Sequence, residues 1–81
     1  MNRKIIVINH IRKLRFNANE MKQIELAEKA GISRQTVIAL EGGNYNPTLE
    51  LACSIADVFG VSLGEVFEYK VEEEKQWNHL L

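Results

Sequence analysis

The sequence predicts a mainly α fold: five short helices, extended by a two-stranded antiparallel β-ribbon that joins the two ends of the chain. Three observations predict it. Apolar residues recur at three- and four-residue spacing through most of the chain, and Gly or Asn closes the runs. β-Branched residues fill Lys4-Ile5-Ile6-Val7-Ile8, and Phe67, Tyr69 and Val71 alternate with Glu68, Lys70 and Glu72. Eighty-one residues, 46% of them hydrophobic, suffice for one modest core and leave little room for a deep substrate cleft.

The elements follow in order. Residues 4–8 favour a strand. Ile8, Ile11 and Leu14 share one helical face, with Arg12, Lys13 and Arg15 off it as surface charges. Asn17-Ala18-Asn19 ends that helix, since Asn tolerates a left-handed backbone. A second helix is expected from about Lys22 to Ala30, with Leu26, Ala27 and Ala30 inward and Lys29 on the surface. Gly31 makes the turn, Ile32 plugs it, and Ser33 caps a third helix from Arg34 to about Glu41. Val37 and Leu40 face inward there, and Gly42-Gly43 stops the helix. After the turn-forming Asn44-Tyr45-Asn46-Pro47, Thr48 caps a fourth helix with the stripe Leu49, Ala52, Ile55, Ala56 and Phe59. Gly60 ends it, and Ser62-Leu63-Gly64-Glu65 reads as a capping box opening a fifth. A lone strand is unstable, so the two strand candidates, about 4–8 and 67–71, are paired with each other. Residues 1–71 thus form one domain. Residues 72–81 are set apart as an acidic tail ending Trp77-Asn78-His79-Leu80-Leu81, either a frayed helix or disordered.

Composition excludes several classes. The longest apolar run, Ile5–Ile8, is far short of the ~20 residues of a membrane helix and of a signal-peptide core, so a cytoplasmic protein without membrane contact is expected. Cys53 is the single cysteine; it makes no internal disulfide and is expected as a small core residue on the fourth helix. His10, Cys53 and His79 have no zinc-ligand spacing and are read as incidental. Neither a glycine-rich phosphate loop nor a nucleophile–base arrangement is visible, so no cofactor and no catalysis are expected. The net charge of −1 hides an asymmetry: residues 1–45 carry +4 and residues 46–81 carry −5. A polyanion could meet the first half while the second faces away.

The region from 22 to 42 holds two short helices joined at Gly31 and Ile32, alanines where the helices must touch, and polar residues outside the second. This is the arrangement of a helix-turn-helix, whose second helix enters the DNA major groove, about 12 Å wide.

The stretch QIELAEKAGISRQTVIALEGGNYNPTLELACSIADVFGVSLGEVF, with IRKLR before it, resembles the Cro/CI/Xre family of prokaryotic and phage regulators. The runs GISRQTV, NYNPTLELA and FGVSLGEVF stand where that family has them, and KIIVI and FEYKV resemble the strands that flank some of its small repressors. The resemblance implies a five-helix, lambda-repressor-like fold and a homodimeric, sequence-specific, double-stranded-DNA-binding repressor without an appended small-molecule effector domain. It implies that Gln23 donates to a phosphate and supports the reading helix. Ser33, Arg34, Gln35 and Thr36 would meet base edges and phosphates, and Asn44, Tyr45 and Asn46 would grip the DNA backbone. Tyr45 could instead pack over its own loop. The chemistry agrees: Arg bridges guanine O6 and N7, Gln bridges adenine N6 and N7, and the Thr methyl meets the thymine methyl.

The chain departs from the family pattern in four places. Lys22 stands where a Thr cap is common, exchanging a cap for a phosphate contact. Gly42 and Asn44 replace frequent basic residues, which flattens the salt dependence of DNA binding. FNANEMK is one residue longer than the usual connection. Ile38 and Ala39 replace polar positions of the reading helix, leaving an apolar contact to thymine for Ile38. A reading from another class is a protein-interaction module of the antitoxin kind, its tail from Glu72 to Leu81 binding a partner protein.

Overall fold

A computed structural model of the chain describes residues 3–73. The element order is β1 (Arg3–Asn9), α1 (Ile11–Asn17), α2 (Gln23–Ala30), α3 (Arg34–Glu41), α4 (Leu49–Phe59), α5 (Leu63–Val66) and β2 (Phe67–Glu73). The five helices and the antiparallel β1–β2 ribbon are those expected, in the same order.

Each helix contributes to one core. Ile11 comes from α1, Leu26 and Ala27 from α2, Val37 and Leu40 from α3, Ile55 and Ala56 from α4, and Val66 from α5, all buried. Fully burying one of the larger side chains contributes about 1.5–3 kcal/mol. Ile32 packs against this cluster from the α2–α3 turn, as its place after Gly31 requires. Gly31 adopts φ 72°, where a Cβ would strain the backbone, and its N–H closes α2 onto Glu28 O. The Ser33 hydroxyl accepts from Thr36 N–H at 3.1 Å and the Thr48 hydroxyl from Leu51 N–H at 3.1 Å, so both expected caps form. At α5 the Glu65 carboxylate accepts from Ser62 N–H at 2.8 Å.

Several expectations are corrected. Ile8 belongs to β1 and shares no helical face with Ile11 and Leu14, because the backbone stays extended through Asn9. The strands are longer than 4–8 and 67–71: the register pairs Arg3 with Glu73 and Lys4 with Glu72, and these opposite charges carry the ladder outward. Glu72 and Glu73 are therefore strand residues and not tail. The remainder of the segment read as partner-binding, 74–81 with Trp77 and His79, lies outside the described residues. Cys53 is exposed, not a core residue, and so is Leu49, since Ala52, Ile55 and Ala56 define the buried face of α4. Arg15 is no free surface charge, as shown below. Left-handed backbone falls at Asn19 (φ 59°), as expected, and also at Glu20 (φ 54°). Among the described residues no helix is long and apolar enough to cross a membrane.

Candidate nucleic-acid interface

The burial of α3 separates its two faces. Val37 and Leu40 are fully or almost fully buried in the core, while Arg34, Gln35 and Ile38 are exposed. These three fall at one- and four-residue offsets, so they line one outer stripe of the helix. Ser33 and Thr36 stand at its start, their hydroxyl oxygens 2.9 Å apart. The cap uses part of the hydrogen-bonding capacity of both; each hydroxyl has one donor and two acceptor sites.

The other end of α3 meets the start of α2. Lys22 is the residue before α2, exposed, with extended backbone. Its side chain has no acceptor to cap a helix, so only the return bond of a capping box forms, Lys22 N–H to Glu25 Oε1 at 3.3 Å. Gln23, the next residue, donates its Nε2 to Glu41 Oε1 at 3.1 Å. That spends one of the two N–H donors of the amide on the last residue of α3. The following chain turns tightly: Gly43 adopts φ 76° and Asn44 N–H returns to Ala39 O at 3.0 Å. Asn44, Tyr45 and Asn46 then project as an exposed loop leading to the capped N-terminus of α4.

Glu41 is a residue that sequence reasoning missed. Its carboxylate receives Arg15 Nε at 2.6 Å and Arg15 Nη2 at 3.0 Å, a two-point pairing between α1 and the end of α3. Arg15 also donates Nη1 to Met21 O at 2.8 Å, so one guanidinium ties α1, the α1–α2 connection and α3 together. The side chains are only 14% and 10% exposed. A separation of twenty-six positions along the chain hides this pair from any local pattern. A second missed residue is Asn9, whose Nδ2 donates to Leu40 O at 2.9 Å while its Oδ1 accepts from Ile11 N–H at 3.2 Å. It joins β1 to the start of α1 and the end of α3.

The geometry is thus two helices in contact through a glycine turn, the second held at both ends and bare along one polar-to-apolar stripe. A family model described as helix-turn-helix matches residues 11–66, more than half of the chain. The chain belongs to the helix-turn-helix regulators of the Cro/CI/Xre type. Members of this family are DNA-binding transcriptional regulators, and the helix-turn-helix described above is the part of this chain that places it among them. Two archaeal relatives of this helix-turn-helix chain carry the name uncharacterized HTH-type transcriptional regulator. The one from Methanocaldococcus jannaschii is 47% identical over 55 residues, covering 68% of this chain and 83% of the relative. The one from Archaeoglobus fulgidus is 42% identical over 67 residues, covering 83% of this chain and 90% of the relative. An immunity repressor protein of Bacillus phage phi105 is 31% identical over 74 residues, covering 88% of this helix-turn-helix chain and 49% of the phage protein.

Proposed function

We propose that this regulator is a homodimeric repressor that reads a near-palindromic operator with α3 in the major groove. The observation that carries this reading is the division of α3: Val37 and Leu40 anchor it while Arg34, Gln35 and Ile38 are bare on its outer side. Arg34 and Gln35 supply bidentate donors and acceptors for purine edges, and Ile38 an apolar surface for a thymine methyl. Ser33 and Thr36 flank them at the helix start. Lys22, Gln23, Asn44, Tyr45 and Asn46 serve the sugar-phosphate backbone, which sets position and affinity without reading sequence. Two copies related by a two-fold axis would reach half-sites about 34 Å apart, one DNA turn. Repression, as opposed to activation, is supported by the name of the phage relative.

Selection of bound sites from a random DNA pool, followed by titration of the winning operator, tests the reading. A split site with two related halves is expected. Gln35→Ala is expected to lose about 1–3 kcal/mol on the operator and little on random DNA. Equal losses on both would remove Gln35 from sequence reading, and a pool without enrichment would overturn the operator itself.

A further inference from the structure

We infer that Asn9 is a positioning residue for the reading helix: from the foot of the ribbon it fixes the exit of α3, and operator binding depends on that bond. The inference rests on the reading of α3 proposed above and adds a residue that touches no DNA itself.

An α-helix leaves its last four carbonyls without partners of its own. At the exit of α3, Ile38 O accepts from Gly42 N–H at 2.9 Å and Ala39 O from Asn44 N–H at 3.0 Å. Leu40 O accepts from Gly43 N–H at 3.1 Å and, with its second lone pair, from Asn9 Nδ2 at 2.9 Å. Three of these four bonds are local and travel with the helix. The one from Asn9 comes from another element, thirty-one positions away along the chain.

The Asn9 side chain stands on a fixed base. Its backbone pairs with Phe67 across the ribbon, and His10 donates N–H to Val66 O at 2.8 Å. Asn9 Oδ1 accepts from Ile11 N–H at 3.2 Å, so the amide is held through one atom and aimed at α3 with the other. Leu40 O needs a donor and Ile11 N–H an acceptor; asparagine carries both on one short, uncharged side chain.

Burial of Val37 and Leu40 attaches α3 to the body, but apolar contact is non-directional. Direction comes from the hydrogen bonds at the exit, those of Arg15 and Gln23 to Glu41 and that of Asn9 to Leu40. Ile38 lies two residues before Leu40, and Asn44, Tyr45 and Asn46 follow it closely. A shift of the exit therefore moves the end of the bare stripe together with the loop proposed to grip the DNA backbone.

Operator titrations of the full chain, at a temperature where circular dichroism shows every variant folded, test the inference. Asn9→Ser keeps a hydroxyl that can accept from Ile11 N–H but ends one atom short of Leu40 O. Asn9→Asp keeps the length and the acceptor and sets an oxygen against Leu40 O in place of the donor. Gly60→Ala is the control: it forces a side chain onto a left-handed backbone, φ 66°, at the far end of α4, and so lowers stability away from the exit of α3. Both Asn9 variants are expected to weaken operator binding by about fivefold or more, the lower end for one lost base contact, while Gly60→Ala stays within about twofold. In an Ile38→Ala background the loss caused by Asn9→Ser should shrink by about half or more, because two changes acting through one contact do not add. Parent-like operator affinity in either Asn9 variant, or a loss that simply adds to that of Ile38→Ala, would overturn the positioning role and leave α3 as the reading helix. A loss in Gly60→Ala equal to that of Asn9→Ser would show affinity following stability, and would overturn it as well. A parent that prefers no DNA site would overturn both readings.

Discussion

Glu41 receives three hydrogen bonds from two other elements, two from Arg15 and one from Gln23. It is the last residue of α3, so one carboxylate ties the end of that helix to α1 and to the start of α2. A nearly buried carboxylate that loses its cation keeps the cost of desolvation without the attraction that offsets it. Arg15→Met is therefore expected to lower stability in urea unfolding by about 2–3 kcal/mol, and Arg15→Met with Glu41→Leu to recover most of that loss. A single variant as stable as the parent would show that the pair contributes nothing. The residue types at 15 and 41 were plain in the sequence, but their meeting was not. Arg15 reads locally as one more base on the polar side of an amphipathic helix, beside Arg12 and Lys13.

At the scale of the element, local chemistry was legible. Ser33, Thr48 and the Ser62–Glu65 box sit where helices begin, and their bonds form as the residue types require. The end of α3 is less usual. Gly42 has an ordinary helical φ of −79°, so its glycine is not demanded by the backbone, whereas Gly43 is left-handed. A Cβ at Gly42 would meet Asn44 Nδ2 at 3.2 Å, the far end of a side chain that can move by a few tenths of an ångström, and Ile38 O at 3.3 Å, the carbonyl that already accepts the Gly42 N–H. Gly42→Lys is thus compatible with the fold and adds a cation beside the proposed backbone-gripping loop. Its DNA affinity should rise at low salt, and the slope of log affinity against log salt should steepen by about 0.9 per copy if one more phosphate is neutralised. An unchanged slope would place this corner away from the DNA. The apolar stripe of α4 was read one residue too far, because periodicity reports which residues share a face and not how far the neighbour covering it extends. Leu49 lies beyond that cover, and Cys53, read separately as a core residue, is exposed beside Ala52.

At the scale of the whole molecule, Asn9 is the joint between ribbon and helices. Its side chain bonds the end of α3 through Leu40 O and the start of α1 through Ile11 N–H, and the next residue, His10, donates N–H to Val66 O at 2.8 Å. Replacing Asn9 by Ala strands a part-buried carbonyl and a helix-start N–H together. A loss of about 1–3 kcal/mol is expected in thermal or urea unfolding. The same change at Asn17, on an exposed helix end, should stay within about 0.5 kcal/mol. Equal effects would mean that the ribbon is joined to the body by packing alone.

Pattern and punctuation were enough to place five helices and the caps at Ser33, Thr48 and Ser62, because each depends on residues within a turn or two of one another; the pairing of the two strands followed by elimination, since neither had another candidate partner. The outward stripe of Arg34, Gln35 and Ile38 was legible for the same reason: it is the complement of an inward pair three residues apart. Only the folded chain decided which charges were spent on structure, as at Arg15 and Glu41, and which apolar side chains stayed bare, as at Leu49 and Tyr69. Both depend on what lies across a gap many residues away in sequence. A side chain's own identity carries no record of the neighbour that will cover it or pair with it.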